Sequence, residues 1–234
     1  MKIAKTTNVT SSSLNYDRYS MTKYDRDIVN SIPFHEELHQ HIQEYVKKHY
    51  KKDGAYSVID LGAGTGLTSA IVREVLPNAK FDLVDFSKQM LAGAKKKLGT
   101  KNVNYILKDY ANLPAKSDYD IAIAVIGVHH QTHEGKRKLF KKIYRLLKPG
   151  GVFFFGDLVT HRDKVKAAHA QALHFHHLVQ KSTDQKTLAE WAHHHLFLNN
   201  LAPIEDQIEW LKDAGFTVKS SLLKWNTALL ICKK

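Results

Sequence analysis

One cysteine, Cys232, is all the thiol this 234-residue chain has. It can close no internal disulfide, so the fold must rest on a packed core, and a reducing, cytoplasmic setting is the expectation. Long apolar runs are missing as well. The longest, Ile121 to Val128, falls far short of the ~20 residues a bilayer-spanning helix needs, so no membrane partner is expected. The N-terminal stretch carries Lys2 and Lys5 and then turns polar from Thr6 to Ser13, with no apolar segment of the kind a secretory signal uses. Acidic residues are few beside basic ones, 23 against 35, giving a formal charge of +12. Such an excess can draw nucleic acid or an anionic surface. The lysines are scattered, however, among them Lys47, Lys48, Lys51, Lys52, Lys95 to Lys97, Lys136, Lys138, Lys141 and Lys142. That distribution reads as a solvated surface, with nucleic acid the weaker alternative.

What is present is an ordinary globular mixture, 43% hydrophobic and 25% charged, in a length that suits one sizeable core. Residues 1–13 read as a flexible tail and 14–234 as a single domain. A tyrosine-rich stretch, Tyr16 to Tyr24, precedes a helix over Phe34 to Tyr50, where Phe34, Leu38, Ile42 and Tyr45 recur at helical spacing. From Ser57 the pattern alternates. Strands are predicted at Ser57–Leu61, Lys80–Val84, Val103–Leu107, Asp120–Ile126 and Val152–Phe155, with helices at Leu67–Leu76, after Ser87, and at Lys136–Leu147. Strands alternating with helices imply a parallel α/β sheet with right-handed crossovers. Residues 160–202 break the rhythm with a helical, histidine-rich insert. A helix at Ile204–Ala214 and an antiparallel hairpin, Thr217–Lys224 with Thr227–Lys233, complete the chain.

Chemistry concentrates at the ends of the predicted strands, where open α/β sheets hold their ligands. Asp60-Leu61-Gly62-Ala63-Gly64-Thr65-Gly66 joins the first strand to its helix. Alternating glycines let the backbone turn sharply and approach a ligand closely. The G-x-G-x-G spacing departs from the G-x-G-x-x-G of dinucleotide sites. Asp85 ends the second strand in Asp85-Phe86-Ser87, where a carboxylate can accept both ribose hydroxyls of a nucleoside. Lys108-Asp109-Tyr110 follows the third strand, and Ile126-Gly127-Val128-His129-His130 the fourth.

These motifs, with Leu147-Lys148-Pro149-Gly150-Gly151, resemble the ordered motifs of class I S-adenosylmethionine-dependent methyltransferases. The resemblance implies a Rossmann-like, mostly parallel seven-stranded sheet ending in an antiparallel hairpin. It implies S-adenosylmethionine as cofactor, with Asp60, Gly62, Ala63 and Gly64 near the methionine portion. Asp85, Phe86 and Ser87 would lie near the ribose, and Asp109, Tyr110 and Ile126 near the adenosine. Residues 14–50 resemble the N-terminal lid of small-molecule members, with Tyr16, Tyr24 and Arg26 as candidates to cover the donor.

The implied reaction is methyl transfer to an oxygen or nitrogen of a small-molecule acceptor, by a monomer or homodimer. RNA methylation and non-catalytic cofactor binding stand as alternatives. The Asn- or Asp-Pro-Pro-Tyr/Phe motif expected of a nucleobase amino-methyltransferase is absent after the fourth strand, and Cys232 is misplaced for a pyrimidine C5 nucleophile. A proton-bearing acceptor calls for a base of near-neutral pKa. His129, His130 and Asp157 are the catalytic candidates, with His161 a further acceptor-facing group. The insert carries His161, His169, His174, His176, His177, His193, His194 and His195. With no H-E-x-x-H motif and no nearby cysteine, they are expected to be a solvated lid that holds no metal.

Overall fold

A computed structural model describes residues 21–114 and 118–234. The expected tail and Tyr16 lie outside the described residues. Helices α1 (Met21–Ser31) and α2 (His35–His49) lead into β1 (Ser57–Leu61), α3 (Leu67–Val75), β2 (Lys80–Asp85), α4 (Lys88–Leu98) and β3 (Val103–Leu107). Then follow β4 (Tyr119–Val125), α5 (His133–Leu146), β5 (Leu147–Leu158), α6 (Lys164–Lys181) and α7 (Gln185–His193). A π-helical turn (His194–Leu198), α8 (Ile204–Asp213), β6 (Thr217–Lys224) and β7 (Thr227–Lys233) end the chain.

The seven strands form one sheet in the order β3-β2-β1-β4-β5-β7-β6. β1 pairs in parallel with both β2 and β4, and β7 runs antiparallel to β5 and β6. The strand order therefore reverses between β1 and β4, and a crevice opens beyond their carboxyl ends. The pleat sends alternate residues to opposite faces. Ile59, Leu61, Ala122, Ala124, Phe153 and Phe155 enter one core with α5 and α8 residues such as Ile143 and Leu211. Val58, Ile121, Ile123, Val152 and Phe154 enter the other with Leu38, Ile42, Val72 and Leu91. The central strands β1, β4 and β5 are apolar on both faces, where helices cover both.

Three boundaries differ from the sequence reading by more than one residue. β5 begins at Leu147 and passes through Pro149-Gly150-Gly151, which reads as a stop in sequence. Its pairing with β4 shifts there, between Tyr119 and Ile121, and Gly150 takes φ 79° to absorb the bulge. β5 also continues to Leu158, so Asp157 pairs with Ala228 inside the sheet and does not follow the strand. Helix α5 starts at His133, capped by Thr132 accepting from the Gly135 amide at 3.0 Å.

The histidine-rich segment is closed at its base. Thr160 N donates to Ala202 O at 3.1 Å and Ile204 N to Thr160 O at 2.8 Å. Helix α6 packs on α1, where His174 and His177 reach the backbone oxygens of Ser31 and Asn30 at 3.2 and 2.8 Å. The expectation of a solvated histidine lid needs correction. His169, His176 and His193 are exposed, but His174 and His195 are buried and His161, His177 and His194 half-buried.

Candidate active site

The glycine loop is built on three left-handed backbone positions: Gly62, Gly64 and Gly66 at φ 77°, 53° and 76°. Such angles suit glycine and strain other residues. The amides of Gly62 and Ala63 both donate to Val84 O, at 2.8 and 3.0 Å, pinning the loop across β2. A Cβ on Gly66 would come within 2.9 Å of Leu98 Cδ1, so this glycine also lets α4 pack close.

Two carboxylates flank the loop. Asp60 faces α3 and accepts from Ser69 Oγ at 2.6 Å. Burial raises its pKa to about 7 despite that bond. Asp85 accepts from the Gly64 amide at 2.9 Å and the Ser87 amide at 2.8 Å. One carboxylate thereby joins the glycine loop to the start of α4. Ser87 caps that helix, accepting from the Met90 amide at 3.2 Å.

A cavity of about 410 Å³, including its open mouth, lies against this loop. It brings together Tyr24, Asp60, Gly62, Ala63, Gly64 and Ile126 of the predicted cofactor residues. Asp85, Phe86, Ser87, Asp109 and Tyr110 stand outside its walls. Asp109 caps a short 3₁₀ turn by accepting from the Ala111 amide at 2.9 Å. Tyr110 packs under Gly62, its ring 3.4 Å from where a Cβ would be. Arg26 is exposed, lines neither cavity and sits 3.5 Å from Asp27.

The same cavity has walls that sequence reasoning missed. His39 donates from Nδ1 to His35 O at 2.8 Å and accepts at Nε2 from Thr68 Oγ1 at 2.9 Å. Burial, and then the neighbouring His39, hold His35 down to about 3. Thr65 donates to Asp25 of α1, and Lys97 of α4 meets the same carboxylate at 2.8 Å. Helix α1 is thus fastened over the glycine loop. The Asp-Arg-Asp run of α1 carries no spacing signal that would have shown this.

A second, larger cavity of about 760 Å³, including its mouth, lies beside the first. Its walls come from α1, α6, α7, the π-helical turn and the ends of β4 and β5. Ile28, Ile32, Leu158, Leu178 and Trp191 make much of it apolar, and among the described residues neither lysine nor arginine lines it. Tyr24, Ile28 and Ile126 belong to both cavities. Ile126 has φ 54°, a costly angle for a β-branched residue. Its amide donates to Gly156 O at 2.8 Å, which helps hold it there.

His129 stands in the wall of the larger cavity, on a 3₁₀ turn (Val128–His130) that leaves β4. Its Nδ1 lies 2.5 Å from Asp157 Oδ1, both side chains being buried. Burial disfavours the imidazolium, so His129 is a neutral ring donating Nδ1–H to the carboxylate, with its lone pair on Nε2. Asp157 is not itself a wall of the cavity. It stands behind His129, its Oδ1 also taking the Leu158 amide at 2.9 Å and its Oδ2 buried without a hydrogen bond. His161 lines neither cavity: its Nε2 meets Trp225 O at 3.1 Å and its Nδ1 lies 3.6 Å from Glu205.

The turn bearing His129 is stitched to the far end of the insert. Asn200 N donates to His129 O at 2.7 Å, and His130 Nδ1 lies 2.9 Å from Leu198 O. Lys136, fully buried on α5, donates to Gln131 O at 2.7 Å and Asn200 O at 2.5 Å. A lysine on the apolar stripe of α5 reads as surface in sequence; here it is an internal clamp.

Residues 58–151 match the family model described as a methyltransferase domain. Over 101 residues the chain is 35% identical to malonyl-acyl-carrier-protein O-methyltransferase 1 of Ilyobacter polytropus, a span covering 43% of this chain and 37% of that protein. Over 150 residues it is 31% identical to the malonyl-acyl-carrier-protein O-methyltransferase of a Marinomonas strain, covering 63% and 54%. The matched spans are thus about half, or less, of these relatives' length. An O-methyltransferase family protein of Burkholderia thailandensis shares the fold with a TM-score of 0.66 at 20% identity, covering 100% of this chain and 65% of that one. No helix among the described residues is long and apolar enough to cross a membrane. Over residues 58–151 the chain is thus similar to a methyltransferase domain, and its strand order and glycine loop give it the class I, Rossmann-like fold of S-adenosylmethionine-dependent methyltransferases.

Proposed function

We propose that the chain transfers the methyl group of S-adenosylmethionine to an oxygen or nitrogen of a small-molecule acceptor seated in the larger cavity. The observation that carries this reading is the meeting of the two cavities at Tyr24, Ile28 and Ile126. A donor chamber that adjoins an acceptor chamber at a shared wall is what in-line transfer requires. Holding the reactants in line can contribute up to ~7–11 kcal/mol of barrier reduction. Oxygen is the favoured nucleophile, since the Ilyobacter and Marinomonas relatives are named as O-methyltransferases. The largely apolar walls, with no lysine or arginine among the described residues that line them, favour a small acceptor over RNA despite the net charge of +12.

The residues of the smaller cavity fit the donor. The glycine loop leaves no side chain between backbone and ligand at Gly62 and Gly64. Asp60 offers a carboxylate to a positively charged amino group. Asp85 stands outside the cavity's walls, where it accepts from the Gly64 and Ser87 amides, and is the carboxylate offered to the ribose. When bound, S-adenosylmethionine supplies a methyl group activated by positive sulfur. The chain's part is to exclude water, through α1 and the insert, and to orient the acceptor, through Nε2 of His129 held in place by Asp157.

Calorimetry with S-adenosylmethionine, S-adenosylhomocysteine and NADH tests the cofactor, with binding expected for the first two alone. A radiolabelled-donor screen over small hydroxy, carboxylic and amino compounds, with total RNA as a parallel arm, tests the acceptor. Tight NADH binding without a response to S-adenosylmethionine overturns the reading. Label appearing in RNA alone overturns the acceptor assignment.

A further inference from the structure

Three histidines meet at the wall of the larger cavity. His129 and His130 are buried on the turn after β4, and half-buried His194 opens the π-helical turn of the insert. One ring nitrogen from each lies within 4.8 Å of those of the other two. The rings of His129 and His130 have centroids 4.1 Å apart, and those of His130 and His194 5.1 Å. We propose that His129, His130 and His194 hold a divalent transition-metal cation of the zinc class, on which the acceptor's oxygen completes the coordination. This inference rests on the methyl-transfer reading and deepens it, and it revises the expectation that the histidine-rich insert holds no metal.

The hydrogen bonds around the cluster are those a metal site needs. A histidine that ligates through one ring nitrogen usually gives its other N–H to a carboxylate or a backbone carbonyl, which fixes the tautomer. His129 gives Nδ1–H to Asp157, and His130 gives Nδ1–H to Leu198 O at 2.9 Å. Both neutral rings therefore carry their lone pairs on Nε2. The Asp157 carboxylate also offsets the nearby charge of Lys136.

The ligand set and its surroundings choose the ion class. Three imidazoles with an open position are a ligand set of catalytic zinc sites. Ligand bonds of ~2.0–2.1 Å put tetrahedral nitrogens about 3.3 Å apart, so the rings must close slightly from the separations seen. His194 can supply that movement, since it begins a π-helical turn, a local widening that recurs at functional sites. His129 and His194 both line the cavity, as does Asn199, whose Oδ1 is buried without a hydrogen bond. That amide oxygen can accept from a group bound at the open position.

A cation here gives the acceptor a way to react near neutral pH. Coordination weakens the acceptor's O–H bond, as it does for metal-bound water. The proton leaves to solvent while the oxygen stays on the metal. That oxygen then forms its bond to the methyl carbon as the methyl–sulfur bond breaks, and the electron pair stays on sulfur. His129 orients the acceptor through the metal.

The experiment is metal uptake by the full chain, with ZnCl2 as probe after chelator treatment. It is read by competition against a chromogenic chelator and, with CoCl2, by the visible absorption of a low-coordinate cobalt site. One equivalent is expected, bound tightly enough to compete with the chelator. His194→Gln, at a half-buried position that tolerates change, should abolish it. Asp157→Asn should weaken it about 10–100-fold, as loss of a ligand's supporting bond does. His176→Gln, at an exposed position, should leave it unchanged. Uptake that survives His194→Gln, or that falls as much in His176→Gln, overturns the proposal in favour of loose binding by surface histidines. No uptake overturns it too. Circular dichroism confirms that each variant folds. S-adenosylhomocysteine binding in the same samples separates the two readings, since donor binding without metal uptake removes only the metal site.

Discussion

Replacing Asp85 by asparagine tests whether this carboxylate serves the cofactor or only the loop. In the free protein Asp85 is buried, 6% exposed, and accepts from two amides, Gly64 at 2.9 Å and Ser87 at 2.8 Å. Asparagine keeps one acceptor oxygen and turns an amide NH2 toward the other N–H. At least one bond to a charged acceptor is lost, worth about 1.5–3 kcal/mol. Because the bond exists without ligand, the melting temperature should fall, at roughly 2–4 °C per kcal/mol for a chain of this size. If Asp85 also holds the ribose, affinity for S-adenosylhomocysteine should fall a further ten- to hundredfold or so, as 1.4 kcal/mol is about tenfold. Calorimetry at a temperature where the variant is fully folded reads that second effect separately. A lowered melting point with affinity unchanged within about twofold would refute the ribose role and leave Asp85 as a loop brace.

The fold was legible because its signals are local. Strands such as Val58-Ile59 and Ile121-Ala122-Ile123 are apolar on both faces, and the glycines of the loop stand where positive φ is needed. The extent of β5 was hidden because Pro149-Gly150-Gly151 reads as a turn, while the sheet accommodates it as a bulge. That in turn hid Asp157, which is a loop residue by sequence and a buried strand residue in three dimensions. The acceptor side was less legible for a different reason. Its walls join α1 to α6 over some 143 residues of chain, as between Ser31 and His174, and no periodicity reports such a pairing. Histidine hides further, since the same side chain is solvated at His176 and neutral and buried at His174 and His195. Lys136 was misread as surface because lysine almost never lies fully buried without partners; the carbonyls that pair it are distant in sequence.

Further outcomes follow from the same geometry. Gly66→Ala puts a methyl at φ 76°, 2.9 Å from Leu98 Cδ1, and should cost about 1–3 kcal/mol in urea denaturation; no loss would show that α3 and α4 can part freely. Asp60, raised to about 7 by burial, must be ionised to hold a cationic amino group. Affinity for S-adenosylhomocysteine should therefore rise with pH through about 5.5–7, by at most about tenfold per unit, and the slope should vanish in Asp60→Asn. His129→Gln keeps a polar side chain but loses the imidazole held by Asp157, so methyl transfer should fall about 10²–10⁴-fold with donor affinity unchanged in calorimetry. The last outcome concerns Lys136. Its ammonium ties the start of α5 to the end of the insert through Gln131 O and Asn200 O. Lys136→Met matches its length, removes both bonds and takes away a positive charge that acts on Asp157. Two bonds from a charged donor are worth about 1.5–3 kcal/mol each. Relief from burying an ammonium offsets part of that, for a net loss of about 2–4 kcal/mol. The effect should be local before it is global. Amide hydrogen exchange should quicken at Leu198 to Leu201, which Lys136, His130 and His133 hold, while the glycine loop, fastened separately by Val84 and Asp85, keeps its protection. Acceptor turnover should then fall with S-adenosylhomocysteine affinity intact. Equal loss of protection in the glycine loop would mean that the two cavities unfold as one unit, and that the insert is not an independently anchored wall.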